Sequence, residues 1–346
     1  MNNVVHPDFK WNGVKLTENS LRQKSEKLLK EGLDFEKDLA QFLIDWFDEK
    51  TFIQLTTSGT TGIPKTIQIK KEAMVNSALA TAVFFDLKPT DKALHCLPAK
   101  YIAGKMMLVR GLVLGLEMDF VEPSSNPLEN NSTYYNFAAM VPLQVQNAVF
   151  GLTKIKKLII GGAKINESLR KELMLLPTEV YETYGMTETI THIAAKKVSE
   201  AAFSVLPNIK IAQDERDCLV IDAPRVSDEK VITNDIVKLV SETQFILKGR
   251  IDNVINSGGI KLFPEQIEEK LSDKIASRFF VAGFPDDKLG EKLILIIEGE
   301  KYQIEELVFE DLNKFEKPKE IRFVTHFTET ENGKVMRKET LKQYYN

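Results

Sequence analysis

The ten residues 56–65, TTSGTTGIPK, constrain this chain more than any other stretch. Their glycines let backbone N–H groups converge on one point, and a nest of this kind binds anions. The hydroxyl side chains add donors, and Lys65 adds a mobile positive charge that can reach a terminal phosphate. The apolar residues 52–55 predict a buried strand that leads into the loop. The stretch therefore predicts a polyphosphate loop, and ATP is the simplest ligand for it.

Two other interpretations of this loop are weaker. A P-loop of the form G-x-x-x-x-G-K-[ST], counted from Gly59, requires its second glycine where Pro64 stands. Proline has no N–H to donate and fixes φ, so it disfavours a phosphate cradle that closes into a helix. A surface linker rich in serine, threonine and glycine would explain the composition, but neither the lysine nor the preceding strand.

Composition and charge limit the possible partners. The chain has 346 residues, enough for two domains with separate cores. Its formal net charge of −4 gives no electrostatic reason to expect nucleic acid or an anionic membrane as a partner. Cys96 and Cys218 stand alone in apolar surroundings, which predicts buried thiols. We see no signal-peptide pattern and no membrane-spanning apolar run, so we expect a cytoplasmic protein without membrane insertion.

Segments with strand-like and helix-like patterns alternate along much of the chain. Predicted helices cover residues 21–33, 35–47, 72–85 and 101–116, and predicted strands cover 66–70, 93–98, 137–141 and 158–160. This alternation predicts parallel α/β layering, in which ligands gather at the carboxyl ends of the strands. The glycine turn at residues 161–163 directly follows one predicted strand and falls at such an end.

A second motif, VYETYGMTE at residues 180–188, places chemistry at the end of another predicted strand. The strand delivers an aromatic ring, a glycine, a hydroxyl and a carboxylate to one turn. Tyr184 can stack on adenine, Thr187 can donate to an α-phosphate, and Glu188 can hold Mg²⁺.

Residues 57–65 and 180–188 closely resemble, in the same order, two motifs of the acyl-adenylate-forming superfamily. That superfamily includes acyl-CoA ligases, luciferases and peptide-synthetase adenylation domains. The resemblance implies that Thr187 and Glu188 are catalytic and that Glu188 is the metal ligand. It also implies an ATP site formed by Thr57, Ser58, Gly59, Thr60, Thr61, Gly62, Lys65, Gly161, Gly162, Ala163, Tyr184 and Gly185.

Two later segments match further motifs of the superfamily. Thr233-Asn234-Asp235 stands where the family has Thr-Gly-Asp, which implies that Asp235 binds the ribose hydroxyls. Asparagine tolerates positive φ, so we expect the turn to survive this departure. The segment 248–268 resembles the linker and the opening of the C-terminal domain, which implies that Arg250 contacts ribose and that Asp252 is the hinge.

The resemblance also implies how CoA and the activated acid are handled. The loop at Ser257, Gly258, Gly259 and Lys261 would line a CoA tunnel, and Lys334 matches the catalytic lysine of the adenylation step. Lys334 would stabilise the transition state between the carboxylate and the α-phosphate. The C-terminal domain would then rotate about Asp252, and a CoA thiol would attack the acyl-adenylate.

The fold implied is α/β. We expect a large N-terminal α/β domain with layered sheets at 1–249, shortened at its N-terminus, and a small mobile α+β C-terminal domain at 250–346. The implied co-substrates and cofactor are ATP, CoA and Mg²⁺, and the chain is a possible homodimer.

The compact build is most similar to the o-succinylbenzoate–CoA ligase family of menaquinone biosynthesis. Residues 97–104, LPAKYIAG, occupy the place of that family's Leu-Pro-x-x-His-x-x-Gly, with Tyr101 in place of the histidine. A second substrate carboxylate needs a cation, and Lys105 or Lys100 ranks first, with Arg110 on the same segment. His192 could also reach the acyl group.

Three alternatives to this function remain open. One is a CoA ligase for another aromatic or short acid. Another is a stand-alone adenylation domain that loads a carrier protein. The last is a degenerate nucleotide-binding module without turnover, which intact Glu188 and Lys334 disfavour.

Overall fold

A computed structural model describes residues 5–57, 65–329 and 335–345 of the chain. Two helices open the fold as predicted, α1 at Glu18–Glu31 and α2 at Asp34–Phe47. The N-cap of α1 is Thr17, whose hydroxyl accepts from the Ser20 N–H while the Ser20 hydroxyl accepts from the Thr17 N–H. The remaining helices are α3 at Lys71–Phe85, α4 at Ile102–Leu114, α5 at Pro142–Asn147, α6 at Glu167–Met174, α7 at Pro264–Leu271 and α8 at Arg337–Tyr345.

The described strands form one large sheet, one smaller sheet and one hairpin. In chain order they are β1 Lys10–Trp11, β2 Val14–Lys15, β3 Phe52–Thr57, β4 Lys65–Lys70, β5 Lys92–His95, β6 Glu117–Phe120, β7 Tyr135–Met140, β8 Ile155–Ile160, β9 Glu179–Gly185, β10 His192–Lys197, β11 Phe203–Val205, β12 Lys210–Gln213, β13 Cys218–Asp222, β14 Val231–Ser241, β15 Gln244–Arg250, β16 Ile255–Ser257, β17 Ile260–Leu262, β18 Phe279–Asp286, β19 Gly290–Glu298 and β20 Glu320–Val324.

The large sheet is parallel in one half and antiparallel in the other. Its strand order is β12-β13-β14-β15-β11-β10-β9-β8-β7-β5-β6-β1-β2. Strands β9, β8, β7, β5, β6 and β1 run parallel, which confirms the predicted α/β layering. Beyond β9 the strands pair antiparallel. Strand β9 is therefore the point at which the sheet changes its direction of pairing.

The parallel strands are buried on both faces. On β8, Ile159 packs into a cluster with Phe42, Trp46 and Met74 of α2 and α3. The neighbouring Leu158 and Ile160 point into a second cluster that includes residues of α5 and α6. Side chains that alternate between two covered faces explain why these strands are continuous apolar runs in the sequence.

The smaller sheet has the order β17-β16-β19-β18, with β20 beside β19. Helix α7 begins at Pro264, as predicted from the proline, and its Ile267 and Leu271 pack on one face. The change from the large to the small sheet falls between Arg250 and Ile255. This lies at the predicted boundary, but the division into two domains stays a prediction.

Two local expectations are wrong. The strand predicted at 93–98 ends at His95, and Cys96 and Leu97 are buried outside it. Thr233, Asn234 and Asp235 do not form a turn with positive φ at the asparagine. They lie within β14, where the pairing with β13 slips from Val220↔Ile232 to Cys218↔Ile236. The slip is a bulge in β14, which accommodates the extra residues without a positive φ at Asn234.

Both cysteines are buried free thiols, as the sequence predicts. Burial raises the pKa of Cys96 to about 12, so its thiol stays protonated. Across residues 5–57, 65–329 and 335–345, every helix is too short or too polar to span a bilayer.

His95 connects β5 to α4 through a buried hydrogen bond. Its burial predicts that the stability of the fold falls at acidic pH. Its Nε2 donates to the Gly104 carbonyl at 3.0 Å, and burial lowers its pKa from 6.5 to about 4. Between these values the unfolded chain binds a proton that the folded chain does not, so stability falls as pH drops. We expect His95→Asn to remove about 2 kcal/mol of the stability loss between pH 7 and pH 5.

Urea denaturation at several pH values measures this difference. His326→Asn is the control, because the His326 side chain is exposed. The same acid-induced loss in the wild type and His95→Asn would refute the assignment.

Candidate active site

The candidate site lies at the carboxyl edge of the parallel strands. Strand β8 runs directly into Gly161, Gly162 and Ala163, and Gly162 adopts a φ of +87°. The adjacent strand β9 ends at Gly185 and leads into a 3-10 turn at Thr187–Thr189. Because β8 and β9 are hydrogen-bonded neighbours, the two predicted nucleotide turns lie side by side.

A strained turn joins β9 to β10. Ile190 is buried and has φ 68° and ψ −56°, and the Thr191 N–H donates to the Thr189 carbonyl at 2.7 Å. This is the geometry of a classic γ-turn, which is rare and costly for a β-branched residue. The Thr189 hydroxyl accepts from the Met186 N–H at 3.1 Å and lies 3.0 Å from the Thr191 carbonyl. Backbone strain held in this way is characteristic of functional turns.

Tyr184 and Asp235 meet in a buried hydrogen bond. The Tyr184 hydroxyl donates to Asp235 Oδ2 at 2.6 Å, although the residues lie 51 positions apart. Burial and the Asp235 charge raise the pKa of Tyr184 well above its usual range, so the phenol stays protonated and donates. The Tyr184 ring packs edge-on against Phe245. The predicted adenine and ribose residues are therefore brought together.

Asp235 also faces the linker between the two sheets. It pairs with Arg250 across β14 and β15, and Arg250 Nη1 lies 3.6 Å from Asp235 Oδ1. Arg250 Nη2 lies 3.2 Å from Asp252 Oδ2. Asn234 Nδ2 donates to the same oxygen at 3.2 Å, a bond that the family's glycine could not make. These contacts unite the predicted ribose residues and the predicted hinge in one polar cluster.

Thr187 and Glu188 lie on the 3-10 turn between the strands. Glu188 is exposed, and its carboxylate forms no ion pair or hydrogen bond with any residue that the structure describes. A carboxylate that protein cations leave free is the kind of oxygen ligand that Mg²⁺ takes beside phosphate oxygens. The residue present therefore fits a magnesium ion, and its role stays a prediction.

The predicted CoA loop is a tight hairpin. Ser257 pairs with Ile260, and Gly258 and Gly259 between them have φ values of +58° and +81°. Two positive φ angles suit a two-residue hairpin turn, which explains the glycines. Lys261 is exposed.

Several residues of the predicted mechanism lie outside the part of the chain that the structure describes. Ser58, Gly59, Thr60, Thr61, Gly62 and Lys334 lie outside the described residues. Thr57 and Lys65 form the last residue pair of the β3–β4 hairpin before the predicted phosphate loop, which confirms the strand on each side of that loop.

The candidate cations for an acid substrate are dispersed around α4. Lys100 and Tyr101 precede the helix, and the Lys100 ammonium lies 5.1 Å from the exposed Tyr101 ring. Lys105 is buried with its ammonium 5.0 Å from the Phe42 ring of α2, and burial lowers its pKa. Both lysines thus stack on aromatic rings.

Arg110 lies on another face of the same helix and is almost fully buried. Its Nε donates to Thr81 Oγ1 at 3.4 Å, and its Nη2 donates to His192 Nδ1 at 3.4 Å. No carboxylate among the described residues lies within ion-pair distance of it. Burial lowers the pKa of Arg110 to about 10, so the side chain remains charged at neutral pH. The sequence placed Arg110 near the pocket and ranked the two lysines above it, and its contact with His192 was not anticipated.

The comparisons with known proteins identify the family. The family model described as AMP-binding enzyme matches residues 48–224, which is half of the chain. The chain belongs to the AMP-binding enzyme family. Its class of reaction is AMP-forming ligation of an acid to CoA.

Three relatives illustrate the family. The 2-succinylbenzoate–CoA ligase of Salmonella typhimurium is 25% identical, over 87% of this chain and 70% of its own length. An acyl-CoA synthetase (AMP-forming)/AMP-acid ligase II-like protein from Dyadobacter fermentans is 33% identical, covers 92% of this chain and 97% of its own, and superposes with a TM-score of 0.63.

The o-succinylbenzoate coenzyme A synthetase of Bacillus subtilis, solved in complex with ATP and magnesium ion, shares the fold. It superposes with a TM-score of 0.72 over 94% of this chain and 82% of its own, at 19% identity.

The Tyr184–Asp235 bond provides a test of the nucleotide assignment. Without the phenol, the Asp235 carboxylate loses a strong donor and is free to rotate toward Arg250. A bond to a charged group contributes about 1.5–3 kcal/mol, so we expect Tyr184→Phe to weaken ATP binding about tenfold or more. Isothermal titration with ATP and magnesium measures the change.

Tyr181→Phe is the matched control for this prediction. Tyr181 lies on the same strand, and its hydroxyl also donates to a carboxylate, that of Glu179 at 2.9 Å. Equal losses of ATP affinity in the two variants would contradict a specific role for Tyr184.

Proposed function

We propose that the chain ligates o-succinylbenzoate to CoA at the expense of ATP, with AMP and pyrophosphate as the other products. The observation that supports the substrate is Arg110, a buried guanidinium without a carboxylate partner in the described part of the chain. The relatives that carry the 2-succinylbenzoate name support the same acid.

The chemistry of this acid fits a buried cation. o-Succinylbenzoate has an aliphatic carboxylate, which is activated, and an aromatic carboxylate, which must not react. A charged group buried without a partner costs several kcal/mol, and an ionised ligand relieves that cost. A guanidinium can bind a carboxylate with two parallel hydrogen bonds. Arg110 is therefore placed in this proposal as the partner of the aromatic carboxylate, ahead of Lys100 and Lys105, which stack on aromatic rings.

The polar cluster of Tyr184, Asp235 and Arg250 at the sheet edge supports a nucleotide site there. In this proposal Tyr184 stacks on adenine, while Asp235 and Arg250 hold the ribose hydroxyls. The glycine turn at 161–163 borders the adenine, and Thr187 donates to the α-phosphate. A magnesium ion on Glu188 would neutralise phosphate charge when bound.

Two half-reactions follow on this scaffold. Lys334 would stabilise the charge that develops as the aliphatic carboxylate attacks the α-phosphate, while Thr57–Gly62 and Lys65 retain the leaving pyrophosphate. We further propose that residues 250–346 form a domain that rotates against 1–249 about Asp252. The turn at Ser257–Lys261 would then meet CoA, whose thiol attacks the acyl-adenylate and releases AMP.

Acid-dependent pyrophosphate release tests the function. We expect strong turnover with o-succinylbenzoate, ATP, magnesium and CoA, and little with benzoate, succinate or short fatty acids. Lys334→Ala should abolish adenylation, because transition-state charge stabilisation of this kind contributes about 10²–10³-fold or more. Lys338→Ala, four residues away on the exposed face of α8, is the matched control.

Other outcomes would assign a different function. Turnover with another acid would retain the mechanism and replace the substrate. Acyl-adenylate formation without CoA-dependent thioester would favour a domain that loads a carrier protein. ATP binding without turnover of any acid would refute the ligase.

Arg110→Met tests the acid pocket. We expect kcat/KM for o-succinylbenzoate to fall about 10–100-fold, because the aromatic carboxylate loses a charge-assisted hydrogen bond of about 1.5–3 kcal/mol. The wild type should prefer o-succinylbenzoate over the analogue in which a carboxamide replaces the aromatic carboxylate. Arg110→Met should show no such preference. Lys105→Met removes another buried cation of α4 and is the control. If Lys105→Met alone abolishes the preference, the lysine is the partner instead.

A further inference from the structure

The imidazole of His192 has one occupied nitrogen and one free nitrogen. Its Nδ1 lies 3.4 Å from Arg110 Nη2 and 3.4 Å from Thr191 Oγ1. A guanidinium can only donate, so Nδ1 must be the acceptor and the ring proton must be on Nε2. Arg110 therefore fixes the tautomer of His192.

The Nε2–H group of His192 has no hydrogen-bond acceptor among the described residues. The atom is buried and finds no hydrogen-bond partner among the residues described, while His192 as a whole is 6% exposed. A buried donor left unsatisfied costs about 1–3 kcal/mol, and native structures rarely tolerate one without a role. His192 is the first residue of β10 and lies two positions after the strained Ile190.

His192 lines a cavity between α3 and the turn after β9. The lining combines apolar residues, among them Ile193, Leu206 and Val226, with the polar residues Asn76, Asn208 and Arg225. Apolar walls with a few polar groups suit an organic acid that has an apolar ring and a few oxygen atoms. Arg110 contacts the Nδ1 atom of His192 and therefore lies close to this cavity.

The charge state of His192 determines which acceptor it suits. Burial, and then the Arg110 charge, lower the pKa of His192 well below its usual value, so the ring is neutral at physiological pH. A neutral donor is matched to a neutral carbonyl oxygen, whereas a carboxylate is matched to the guanidinium. One pair of side chains can thus distinguish two kinds of oxygen on one substrate.

We propose that His192 Nε2 donates a hydrogen bond to the ketone oxygen of the bound acid and makes the enzyme selective for a γ-keto acid. The inference rests on the proposed function, because the succinyl group of o-succinylbenzoate carries this ketone. His192 is a specificity residue here, and Arg110 has a second role as the positioning residue that holds its tautomer.

A cycle of two substrates and two proteins tests the ketone contact. The substrates are o-succinylbenzoate and 2-(3-carboxypropyl)benzoate, in which a methylene replaces the ketone. We expect the wild type to favour the keto acid about 5–100-fold in kcat/KM, the range of one hydrogen bond to a buried donor. His192→Phe should bring this ratio close to one, and His192→Gln, which retains a donor, should restore part of it.

The controls separate this inference from the function on which it rests. His192→Phe should retain the preference for the aromatic acid over its carboxamide, which is assigned to Arg110. Strong turnover of o-succinylbenzoate with an unchanged keto-to-methylene ratio in His192→Phe would overturn the inference and leave the function intact. Turnover of neither substrate by the wild type would overturn both.

A spectroscopic measurement reads the tautomer in the wild-type protein. In the ¹⁵N spectrum of histidine-labelled wild-type protein, His192 should show an unprotonated Nδ1 and a protonated Nε2 from pH 6 to pH 8. His192→Gln identifies the resonances. A protonated Nδ1, or a doubly protonated ring, would overturn the inference.

Discussion

The close approach of Gly185 to β10 is the constraint on which the site depends. A Cβ at Gly185 would lie 2.3 Å from the Thr191 carbonyl oxygen and 2.5 Å from His192 Cα, so no larger residue fits there. At this contact His192 pairs with Gly185, and a bulge in β10 then shifts the register so that Ala194 pairs with Tyr184. The contact also occurs where the large sheet passes from parallel to antiparallel pairing. The direction of the sheet and the geometry of the site are determined by the same few atoms.

In the proposed function, the hairpin of β9 and β10 divides the site between two substrates. Tyr184 packs with Phe245 and donates to Asp235, on the side of the antiparallel strands. His192 packs against Phe85 of α3 and contacts Arg110 of α4. Thr187 and Glu188 lie on the turn between the strands. Nucleotide and acid residues can therefore be set close together without sharing a side chain, and the strained Ile190 fixes their separation.

Most of the helices and strands could be predicted from the sequence because their signals are local. The apolar run at β8, the proline at the start of α7 and the glycines of the β16–β17 turn each act within a few residues. The Thr233–Asp235 turn was predicted wrongly because its geometry depends on two neighbouring strands. A bulge in β14 relieves the mismatch between β13 and β15, and neither partner is visible from the three residues themselves.

The cations of the proposed acid pocket were still harder to rank from the sequence. Lys100, Lys105 and Arg110 are equivalent in sequence as cations on one segment, but the helix directs Lys105 toward α2 and Arg110 toward His192, which is 82 residues away. Burying Arg110 without a carboxylate is unfavourable for stability, and a hydrophobic residue of similar volume would pack at least as well. In the proposed function, the substrate carboxylate supplies the missing partner of Arg110. Binding an anionic acid would therefore stabilise this part of the core, and the same coupling would hold His192 in the tautomer that reads the rest of the substrate.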